Sequence, residues 1–94
     1  MKVNICGIPH NIVYVNDEFN TDTHYGQIDY GKAVIKISKD ISKEQQDEAL
    51  CHEILHGILV HIGKGELSQD EEFVTVLSNA IYQSFILNLE LEEN

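Results

Sequence analysis

The sequence predicts an α+β fold: a small antiparallel sheet packed on two antiparallel helices. Three observations carry that prediction. Apolar and polar residues alternate with period two over the first 40 residues, and the period turns helical from about Ser42 onward. No internal repeat, low-complexity tract or Pro/Ser-rich linker divides the chain. At 94 residues with 43% apolar content, residues 1–94 read as a single domain, well above the roughly 40 residues below which an isolated core becomes marginal.

The strands come first. "KVNI" and "NIVYV" flank a turn region at Gly7 and Pro9, and "YGQIDYGKAVIKIS" reads as two strands joined near Tyr30, Gly31 and Lys32. Alternation puts Ala33, Ile35 and Ile37 on one face of the last strand, Val34 and Lys36 on the other. The polar stretch "NDEFNTDTH" is expected to be a loop, with His10 and His24 as ordinary surface histidines.

The helices follow. Leu50, Ile54, Ile58 and Ile62 recur every four residues with Leu55 and Leu59 beside them, and Ser42 with Gln45 spells a capping box. Gly63 supplies the stop, giving a helix of about 20 residues and roughly 30 Å. So apolar a helix should lie centrally, against the sheet on one side and another helix on the other. After a loop "GKGELSQ", a second helix is expected from about Glu71 to Leu89, with Val74, Leu77, Ile81 and Phe85 as its stripe. The short connection makes the two helices antiparallel neighbours.

Charge and cysteine usage narrow the partners. With 16 Asp plus Glu against 6 Lys plus Arg, the net charge of −10 repels nucleic-acid phosphates and anionic lipid. The amino-terminal residues lack the apolar core of a signal peptide, and the one long apolar run is broken by charges, so the expectation is a cytoplasmic protein that spans no membrane, monomeric by default. Cys6 and Cys51 have no paired spacing and read as small buried hydrophobes in a reducing compartment. Cys51 also points about 100° around the helix from His52, away from any metal held there.

Inside the most apolar stretch, "ALCHEILHGIL", stand His52, Glu53 and His56. Two histidines four apart leave one face of a helix about 6 Å apart at Cβ, which suits two Zn–N bonds of about 2.0 to 2.1 Å to one ion. Glu53 lies on the adjoining flank, poorly placed as a third ligand but able to act as general base on water beside the ion. Chance would place only about 0.03 copies of H-E-x-x-H in a chain of this composition. The third ligand is expected from the next helix. Glu71 shares a face with Val74, Thr75, Ser78 and Ile81, the side facing the first helix; Glu72 shares one with Thr75, Val76 and Asn79. Glu71 is preferred, but Ser68 and Glu71 also spell a capping box, and if that forms Glu72 takes the ligand role. The extended motif would want glycine at 59 and histidine at 62, where the chain has Leu59 and Ile62. His61 lies about 180° from His52 and reads as a helix-end histidine favoured by the helix dipole. Tyr82, His61, Tyr25 and Tyr30 are the candidate donors to a developing oxyanion.

"QQDEALCHEILHGIL" followed by "EEFVTVLSNAIYQ" resembles the minimal zincins of the ImmA/IrrE type, above all the short phage and mobile-element proteins that look like their catalytic core. The resemblance spans roughly residues 25–85. It implies a zincin-like minimal core in which His52, His56 and Glu71 hold Zn2+ and Glu53 is the base. Val74 and Thr75 stand where that family has Ala and Asn, and Thr75 also occupies the place of the Asp that wider gluzincins such as thermolysin carry four residues beyond the ligand Glu. The function so implied is a zinc-dependent endopeptidase acting on a cytoplasmic protein or peptide, such as a phage or mobile-element regulator, along a sheet edge where an extended peptide adds as a strand. The alternatives are a non-catalytic, zinc-stabilised interaction module on the same scaffold and, behind it, a metal-free helical binding module.

Overall fold

The computed structural model describes residues 1–16 and 25–93, with side chains of the last helix as far as Phe85. His24 and most of the expected polar loop therefore lie outside the described residues. Strands β1 (Lys2–Ile5), β2 (Ile8–Val15), β3 (Gly26–Asp29) and β4 (Val34–Ser38) are followed by α1 (Lys43–His61), a one-turn α2 (Gly65–Ser68) and α3 (Glu71–Glu93). The class is α+β, as expected. The one-turn α2 falls within the segment expected to be loop. Among the described residues no helix is long and apolar enough to cross a membrane.

The sheet is mixed, which corrects the expectation of an antiparallel one. Its order is β1-β2-β4-β3, and β2 runs parallel to β4 with Ile12 opposite Ile35 and Tyr14 opposite Ile37. Local chemistry explains the two antiparallel pairs. Cys6 and Gly7 both have positive φ, 52° and 83°, the conformation of a two-residue turn whose twist suits a hairpin between β1 and β2. The turn between β3 and β4 is held by the Lys32 amide donating to Asp29 Oδ1 at 3.0 Å. By contrast, ten residues separate Val15 from Gly26, enough to carry the chain past a strand position about 4.8 Å wide. The returning strand β4, with Ile35 and Ile37 wholly buried, then fills the central place.

Three further expectations are corrected here. Ala33 belongs to the turn, with φ 53°, and not to the face shared by Ile35 and Ile37. His10 is no surface residue. It is in phase with Ile12 on β2, faces the helix layer and is fully buried, its Nδ1–H donating to the Ile8 carbonyl at 2.8 Å. Cys6, placed at the hairpin turn, is exposed. Cys51 is half-buried between helices, and its thiol donates to the Ser78 carbonyl at 3.4 Å.

Helix α1 lies in the middle, as its composition predicted. One side covers the sheet: Ala49 joins Ile5, Ile12, Ile35 and Ile37, with Leu50, Ile54 and Ile58 packed against them. The other meets α3 through Leu55, Leu59, Val74 and Leu77. Its start is the expected capping box, Ser42 Oγ accepting from the Gln45 amide while Gln45 reaches back to the Ser42 amide. Its end is fixed by Gly63 at φ 81°, where the Gly63 amide donates to Val60 and the Lys64 amide to Leu59. Those bonds use two carbonyls the helix would otherwise leave unpaired, and the left-handed residue turns the chain towards α3. On α3 the stripe holds through Val74 and Leu77, but Phe85 is 64% exposed because it lies beyond the reach of the packed face.

Candidate metal centre

His52 and His56 stand one turn apart on the α3-facing side of α1, and their Nε2 atoms approach to 3.1 Å. Glu71, the first residue of α3, reaches both: Oε2 is 3.2 Å from His52 Nε2 and Oε1 is 3.0 Å from His56 Nε2. One ligand atom from each of these residues lies within 4.8 Å of the others. Two ligands held about 2.0 to 2.1 Å from a tetrahedral zinc are about 3.3 Å apart, close to the 3.1 Å between the two Nε2 atoms, and the Glu71 carboxylate offers a different oxygen to each ring.

Glu71 arrives there because of how α3 begins. Asp70 caps the helix, its Oδ1 accepting from the Phe73 amide at 3.1 Å. The rival capping box of Ser68 with Glu71 is not formed, and Glu71 is left free to turn inward. Ser68 is instead buried on α2 with its Oγ 2.8 Å from His56 Nδ1. With His56 Nδ1–H donating to that hydroxyl, the Nε2 lone pair points at the cluster, the arrangement a metal-binding imidazole requires. Sequence reasoning named Ser68 only as a helix cap; its spacing of twelve residues from His56 carries no helical or strand period that would have revealed the contact. Glu72 is exposed and borders a separate groove with Phe73 and Val76, on the far side of α3.

The cluster opens into a cleft of about 640 Å3 whose walls include Tyr25, Gly26, Glu48, His52, Glu71 and Thr75. Thr75 therefore sides with Glu71. Of the four candidate oxyanion donors, Tyr25 borders this cleft. Tyr30 is exposed near the β3–β4 turn, and Tyr82 is near the carboxylates of Glu44, Asp47 and Glu48. His61 ends α1 as expected, with its ring edge-on to His10 at 5.7 Å.

Glu53 is buried, at 8% exposure, against the edge strand β3. The contact is close: a Cβ on Gly26 would lie 3.3 Å from Glu53 Cγ, 3.2 Å from the Lys36 carbonyl and 3.0 Å from Ile37 Cδ1, so glycine is what lets strand and helix meet here. Burial, seconded by the nearby Glu71 charge, pushes the Glu53 carboxyl up to about 7. His52 is shifted down, chiefly by burial and then by His56, with Glu71 opposing.

The arrangement thus gathers two imidazoles and a carboxylate onto one point, with the buried Glu53 carboxyl near enough to feel the Glu71 charge. Comparison with known proteins finds no matching family model, no matching curated protein and no matching solved structure.

Proposed function

We propose that the chain is a zinc-dependent endopeptidase of the gluzincin type, with His52, His56 and Glu71 as ligands and Glu53 as general base. The observation that carries this reading is the convergence of His52 Nε2, His56 Nε2 and the Glu71 carboxylate at 3.0 to 3.2 Å beside an open cleft. His52, His56 and Glu71 would hold the zinc, which when bound would supply Lewis acidity towards a scissile carbonyl and an attacking water.

The protein's own groups supply the remainder. Glu53 takes the proton from the attacking water on its carboxylate and delivers it to the leaving nitrogen, a shuttle that works best when the carboxyl is poised near the working pH, as burial makes it here. The ring of His56 is oriented by Ser68, so that its Nε2 lone pair faces the site. The edge strand β3 has no strand partner on its outer side among the described residues, and its backbone can pair with an extended substrate. Tyr25, at the mouth of the cleft, donates to the developing oxyanion. The substrate is a cytoplasmic protein, and the resemblance of the motif helices favours a regulator encoded by a phage or mobile element.

The test compares zinc-loaded wild type with Glu53→Gln on a mixture of unstructured peptides, with cut products read by mass spectrometry. The expected result is cleavage that falls 10²- to 10⁴-fold in Glu53→Gln while zinc stays bound. Zinc binding with no cleavage by either protein would instead favour a zinc-stabilised interaction module on the same frame.

A further inference from the structure

The cleft extends beyond the cluster, along the groove between the first half of α1 and α3. Glu48 forms its wall there, half-buried, and Thr75 and Asn79 of α3 line the same groove. Glu48 precedes His52 by four residues, so it lies on the same helical face about 6 Å towards the amino terminus. An extended peptide advances about 3.3 Å per residue, and 6 Å corresponds to about two residues.

The charges around that wall are one-sided. Among the described residues, those bordering the cleft include two carboxylates, Glu48 and Glu71, and neither lysine nor arginine. Glu71 is engaged by the two imidazoles. The nearest lysine on the same helix, Lys43, is tied to Asp47. Glu44, one turn before Glu48 on α1, adds a further negative charge on that side of the helix. Tyr82 on α3 registers both: its hydroxyl is pushed up first by burial and then by the Asp47, Glu44 and Glu48 carboxylates, with Lys43 opposing least. A half-buried carboxylate with no ion pair among the described residues gains from a cation that enters the groove and loses from an anion.

We infer that the cleft selects a lysine or arginine side chain within about two residues of the scissile bond, and that Glu48 is the residue that reads it. The inference rests on the endopeptidase reading and adds its substrate class: an extended segment carrying a basic residue beside the cut. Thr75 and Asn79 offer the polar atoms that complete the cation's solvation, and the overall acidity of the chain adds a general attraction that the test must separate from this local one.

The probe is a randomised library of acetylated, amidated octapeptides. Zinc-loaded Glu53→Gln protein, which binds without turnover, is equilibrated with it, and the bound fraction is sequenced by mass spectrometry. Zinc-loaded wild type is run on the same library for cut positions. The expected result is enrichment of Lys and Arg over Gln by roughly 10-fold or more, as a charge-assisted contact provides. Adding Glu48→Gln removes the enrichment, and adding Glu48→Lys turns it towards Asp and Glu. Glu66→Gln, which deletes one exposed charge elsewhere, leaves it intact. Absence of basic enrichment, or enrichment that survives Glu48→Gln, overturns the inference. Glu48-dependent enrichment without any cutting by wild type keeps the selection and removes the peptidase reading, whereas cutting without basic preference does the reverse. Circular dichroism and zinc content of Glu48→Gln, the near-isosteric variant, establish that it is folded and loaded.

Discussion

The two sides of α1 are built to opposite rules. Against the sheet it presents Ala49, Leu50, Ile54 and Ile58 to a layer of isoleucines, and Ile35 and Ile37 there are wholly out of water. Against α3 it presents Leu55 and Leu59 but also His52 and His56, with Glu71 left 68% exposed where it completes the cluster. The first side is a hydrophobic core interrupted by Glu53, which packs on β3. The second gives up apolar contact to gather polar atoms at one point. The difference places the apolar core and the three clustered metal-ligand candidates on separate faces of one helix, while Glu53 packs on the sheet side against Gly26 of β3.

That separation can be broken experimentally, beginning with the largest effect. Ile37→Ala removes a fully buried side chain from the sheet face and should cost about 2 to 5 kcal/mol in urea denaturation, by the same amount with zinc present or chelated. A cost that depends on zinc would mean that the two faces are coupled. Ser68→Ala acts on the opposite face. It should weaken zinc binding about 10- to 100-fold, read by competition with a chromogenic chelator, because His56 loses the partner that fixes its ring. Metal-free Ser68→Ala should melt close to metal-free wild type. For the parent protein, chelation should lower the melting temperature while leaving a cooperative transition, since the sheet-side core contains no ligand. The smallest effect belongs to Ser42→Ala, which deletes the helix cap far from both faces; about 1 kcal/mol is expected, with zinc affinity unchanged.

Much of this division was legible in the sequence. The spacing of Leu50, Ile54 and Ile58 marked an apolar row that the fold turns to the sheet, although Ile62, expected to continue it, lies past the helix end at 56% exposure; Ser42 and Gln45 marked the start of α1, and Gly63 its end. The spacing of His52 and His56 placed both rings on one face, and the choice of Glu71 over Glu72 followed from which face of α3 looks inward. What sequence could not supply was long-range. Periodicity sees neighbours three or four residues away, but strand order depends on where a ten-residue connection lands, and the parallel pairing of β2 with β4 was missed for that reason. Ser68 was missed because its partner lies twelve residues away on another helix. The burial of His10 is partly legible: it continues the phase of Ile12 by one step, but its place beside the Gly7 and Pro9 turn region points to an exposed strand end.

Zinc titration of chelator-stripped protein by isothermal calorimetry addresses the cluster most directly, with Glu71→Gln and Glu72→Gln as the paired variants. Wild type and Glu72→Gln should each take up one zinc per chain, and Glu71→Gln should bind far more weakly, because only Glu71 faces both imidazoles. Equal binding by the two variants, or no stoichiometric uptake by wild type, would contradict the account.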